Sequence, residues 1–92
     1  MNTLVMRHQL TSYVLEIWLL PRPYRTVDSL QTATRVTQYE SATGFGPFHT
    51  GDTFSHGLGN HYLGTIQHVH HRVGQEEGDE VIHRTLLYVF KG

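Results

Sequence analysis

The chain has 92 residues, eight of them histidine and none cysteine, and seven basic side chains set against eight acidic ones give a formal net charge of -1. That length predicts a single domain over residues 1–92 with no room for a separate catalytic unit, because a chain this short closes over only about two thirds of its surface. The balanced charge gives no bulk attraction to nucleic acid, and the lack of cysteine excludes disulfides, thiol catalysis and thiolate zinc sites, so any metal would rest on His, Asp and Glu.

Thr3 to Leu10 alternates loosely and reads as a strand. SYVLEIWLL, at 12–20, is dense in large apolar residues, with Tyr13, Leu15, Ile17 and Leu19 on one face and Val14, Trp18 and Leu20 on the other. It predicts a strand covered on both sides. PRPY, at 21–24, ends that strand, since proline removes ladder donors and fixes the backbone. Thr26 and Asp28 are helix-start signals, and Val27, Leu30 and Ala33 recur every third residue, which predicts a short helix of about two turns. TRVTQY, at 34–39, turns to β-branched and aromatic residues and reads as a strand.

From Ser41 to Asn60 the chain carries Gly44, Gly46, Pro47, Gly51, Gly57 and Gly59, the mark of a long turn-rich connection with one short strand around FHTGDTF. YLGTIQHVHHRV, at 62–73, and VIHRTLLYVF, at 81–90, flank the polar loop GQEEGDE and predict an antiparallel hairpin. Its second strand carries Ile82, Leu86, Tyr88 and Phe90 on one face and Val81, Leu87 and Val89 on the other, so it belongs inside a sheet. The expected fold is mainly β (α+β): a small antiparallel sheet with the C-terminal hairpin at its middle, joined by the strand at 12–20, and one short helix. Apolar runs such as Ile17 to Leu20 are far short of the about 20 residues of a membrane helix, and the first residues lack a signal-peptide layout. A cytoplasmic protein is therefore expected.

The histidines raise the question of a metal. With Val73 facing Val81, His71 faces His83, while His70 neighbours Arg84 and His68 neighbours Leu86 on the opposite face. A slip of two residues would change these partners but not the faces. Strand alternation therefore puts His68 and His70 together and sends His71 to the far side, so HVHH cannot give three ligands to one ion. His68 and His70, roughly 7 Å apart, would need a third ligand from His49, Asp52, His56 or His61; a second candidate pair is His71 with His83 across the hairpin. The His-x-His spacing arises on any strand with two histidines on one face, and packing against Tyr88 and Arg84 with local hydrogen bonds is the expectation for these rings ahead of a metal site. Zinc is the cofactor alternative, as a carrier site or a metal-dependent hydrolase; otherwise no cofactor is expected.

No other pattern carries catalysis. Ser55 and His56 are adjacent and cannot face each other as nucleophile and base, and GFGPF and GLGN lack the spacing of a phosphate loop. PRPYR instead combines Arg22, Tyr24 and Arg25, guanidinium groups and a ring of the kind that anchors a protein interface or stacks on bases. Together with Trp18, five tyrosines, a preference for Arg over Lys and a turn-rich segment able to conform to a partner, this favours a small non-enzymatic interaction protein. It would occlude a larger protein or ribonucleoprotein complex, with direct RNA contact as one form. As a class, short, cysteine-free, motif-poor chains of this kind resemble phage and mobile-element inhibitors of host defence such as anti-CRISPR proteins. No residue pattern matches a particular family of them.

Overall fold

The computed structural model describes residues 11–56, 61–75 and 80–91; the strand expected over Thr3 to Leu10 lies outside the described residues. Five strands, β1 (Thr11–Leu20), β2 (Thr34–Ser41), β3 (Thr53–His56), β4 (His61–Gln75) and β5 (Val81–Phe90), form one sheet in the order β2-β1-β5-β4-β3. The expected hairpin is β4–β5, with β1 lying against β5 at the middle of the sheet. Three pairings are antiparallel, but β1 and β5 run parallel from Thr11 opposite Val81 to Leu20 opposite Phe90, which makes the sheet mixed rather than antiparallel. A hairpin turn sets the direction of the strands it joins. β1 and β5 share no turn, and apolar alternation is the same in either direction.

Both middle strands are covered on both faces. On the first face Leu15, Ile17, Ile66, Leu87 and Val89 form a buried cluster, roofed by Tyr39, Phe45, Phe48, Phe54 and Val69. On the second face Leu20, Leu86 and Tyr88 pack with Trp18, Tyr24, Leu30, Ala33 and Phe90. The Gly-rich stretch expected to be free for a partner is thus partly a lid, because burying Phe45 and Phe48 outweighs leaving the segment solvated.

The expected short helix is a single 3-10 segment, Val27–Thr32. Ser29 N–H donates to the Thr26 carbonyl, the Thr26 amide donates to Ser29 Oγ, and the Thr32 hydroxyl donates back to the Ser29 carbonyl. These i to i+3 contacts tighten the turn before Thr34 begins β2. Leu30 and Ala33 face the core, and Val27 is 68% exposed.

The β4–β5 register differs from the symmetric closure by two residues: Gln75 opposes Val81, Val73 opposes His83 and His71 opposes Thr85. Extending β4 through Gly74 and Gln75 adds ladder hydrogen bonds and shortens the connecting loop. A bulge at Gln67, between Ile66 opposite Val89 and His68 opposite Tyr88, resets the alternation. Ile66 consequently lies in the first-face core while His68 lies on the second face. Earlier in β4, Gly64 has φ 129°, and a Cβ there would collide with the backbone of Phe90 and Lys91, so this position admits only glycine.

Candidate functional site

The proline turn after β1 is held to the second face by Tyr24. Its ring stacks on His68 at 5.2 Å with an interplanar angle of 18°, and its amide donates to the Gln67 side-chain carbonyl. The bulge makes this possible, because it lets the consecutive residues Gln67 and His68 both reach Tyr24 on one side of β4. Tyr24 is therefore half-buried and taken up by the fold, whereas Arg22 and Arg25 are exposed on the turn it fixes. Among the described residues, neither guanidinium has a carboxylate or hydrogen-bond partner.

His68 and His70 fall on the second face and His71 on the first. His68 lies between Tyr24 and Tyr88, 5.8 Å from the latter, and His70 is exposed opposite Leu86. His71 is exposed and pairs through Nδ1 with the Thr85 hydroxyl at 3.1 Å. His83 opposes Val73, not His71, and stacks on Tyr13 at 4.9 Å, so the two are diagonal neighbours rather than a facing pair. The two-residue register shift accounts for this. His49 and Asp52 pair with each other at 3.6 Å on an exposed turn. The side chains of His56 and His61 lie outside the described residues, as does GLGN. Among the described residues, no three His, Asp or Glu side chains converge on one point.

The chain pattern did not reveal the polar centre of the second face. Glu16, 4% exposed, accepts from Arg84 Nη1 at 2.6 Å and from Trp18 Nε1 at 2.9 Å. Burial alone pushes this carboxyl up. The hydrogen bonds from Arg84 and Trp18 and the charges of Arg84 and Arg35 outweigh it and hold the group below the ordinary glutamate value. Burial, and then the negative charge of Glu16, push the Tyr88 phenol up, with Arg72 opposing. An acid in the middle of SYVLEIWLL was the available signal, since a buried carboxylate demands a cation.

The aromatic rings of the described part all pack inward. Trp18, Tyr24, Tyr88 and Phe90 belong to the second-face layer, Tyr39, Phe45, Phe48 and Phe54 to the first, and Tyr13 lies against His83. Among the described residues, the surface that remains for contact carries exposed guanidinium groups on the turn, an exposed stretch of β4 and the three exposed valines Val27, Val36 and Val73. Among the described residues, no helix is long and apolar enough to cross a membrane. Compared with known proteins, the chain matches no family model, no curated protein and no solved structure.

Proposed function

We propose that this protein is a small non-enzymatic interaction domain that acts by covering the surface of a larger protein or ribonucleoprotein complex, as an occluding inhibitor does. The observation that carries the reading is the pair Arg22 and Arg25, unpaired among the described residues and exposed on a turn fixed by the Tyr24–His68 stack. A guanidinium on a fixed turn loses little freedom on binding and offers a planar fork to a carboxylate or phosphate. With the described aromatic rings packed into the fold, base stacking has little part in this contact, and charge-assisted hydrogen bonds carry it.

The test is capture from an extract of the native host on immobilised protein, wild type against Arg22→Glu/Arg25→Glu, with and without nuclease. A partner retained by the wild type and lost with the double variant supports the reading, and its loss after nuclease treatment identifies a ribonucleoprotein. Equal retention by both forms overturns it.

A further inference from the structure

We infer that the outer edge of β4 pairs antiparallel with the same edge of a second copy, joining two sheets through a two-fold axis at His71. β3 pairs with β4 only between Thr65 and His61, and Ile66 is met by the backbone of Gly51 and Asp52. Beyond that point, among the described residues, no strand lies along 67–75. The edge is long, has neither proline nor lysine, and runs through the exposed residues His70, His71, Arg72 and Val73. Such an edge is a template for another strand unless it is blunted.

The side chains select the second copy as occupant and fix its register. Directly opposed residues of an antiparallel pair share a face, so the axis must pass through a residue. On the first face Val69, His71 and Val73 read the same in both directions. Centring on His71 sets Val69 against Val73 of the second copy twice over, covering a valine that is 64% exposed. On the second face the same register sets Arg72 against the imidazole of His70. Centring on Arg72 would oppose two guanidinium groups, and centring on His70 would leave Val73 against Gln67. The dimer displays two Arg22–Arg25 turns whose Gln67 anchors stand about 27 Å apart along the strands. Pairing at this edge does not depend on what those turns bind.

The absence of cysteine makes the register directly readable. Opposed residues in such a pair stand about 4.5 to 5.5 Å apart at Cα, within reach of a disulfide. His71→Cys should therefore give a covalent dimer on mild oxidation. Gly74→Cys, an open position whose two copies would lie about 20 Å apart, should not, and nor should Val27→Cys on the exposed 3-10 segment. Sedimentation of the unmodified chain should show a dimer that Val73→Lys weakens at least tenfold, while the melting temperature measured at concentrations where both forms are monomeric stays unchanged. Equal cross-linking at all three positions would overturn the register. A monomer at about 100 μM, a range in which even weak edge pairs are populated, would overturn the dimer, whether the edge is then solvated or covered by another part of the chain.

Discussion

Glu16 is the residue on which the second face depends. Glu16→Gln leaves Arg84 half-buried without its counter-charge and should cost about 2–3 kcal/mol at neutral pH. Because the folded carboxyl titrates below its unfolded value, its stabilisation is present above the ordinary glutamate range and lost as pH falls through that range and below. Thermal unfolding of wild type and variant should therefore converge on acidification, and a gap that stays constant to low pH contradicts the assignment. Tyr24 gives a second residue-scale prediction: Tyr24→Ala should lower stability by about 1–2 kcal/mol through loss of its stack on His68, whereas Tyr24→Phe should stay within about 0.5 kcal/mol. Chemical denaturation of the two variants checks this ordering. PRPYR by itself points to Tyr24 as a partner contact beside Arg22 and Arg25, and the stack on His68 adds a role in the fold to that expectation. Nothing local in it shows that a bulge two strands away presents His68 and Gln67 to receive the ring.

At the scale of elements, each strand was legible where its pattern was local. β1, β2 and β5 carry runs that alternate or are apolar on both faces, and the polar gap at 74–80 marked the hairpin. Features set by tertiary contact were not legible: the parallel direction of β1 against β5, the register gained by pairing Gly74 and Gln75, and the bulge at Gln67 that reverses the facing of Ile66 and His68. The opposition of His68 and His70 to His71 was readable because alternation resumes after the bulge and holds in any register. Gly64 tests the account of β4. Gly64→Ala forces a side chain into the backbone of Phe90 at a positive φ and should cost at least about 2 kcal/mol, while Gly74→Ala, with open space around it, should be nearly neutral. Similar melting temperatures for both would contradict the close approach of β4 to the end of β5.

For the whole molecule, the two-sided packing of one mixed sheet leaves, among the described residues, guanidinium groups rather than aromatic rings available for contact. In the proposed function Arg22 and Arg25 make the partner contact and the exposed His70 of the second face does not. The most direct measurement is the affinity of the captured partner, by calorimetry, for wild type, Arg22→Ala/Arg25→Ala and His70→Ala, each first shown to melt like the wild type. The account predicts a loss of at least about thirtyfold for the arginine pair, the value of one anchoring side chain of about 2 kcal/mol, and less than about threefold for His70→Ala. Full affinity without the two arginines, with binding lost at His70, would contradict it.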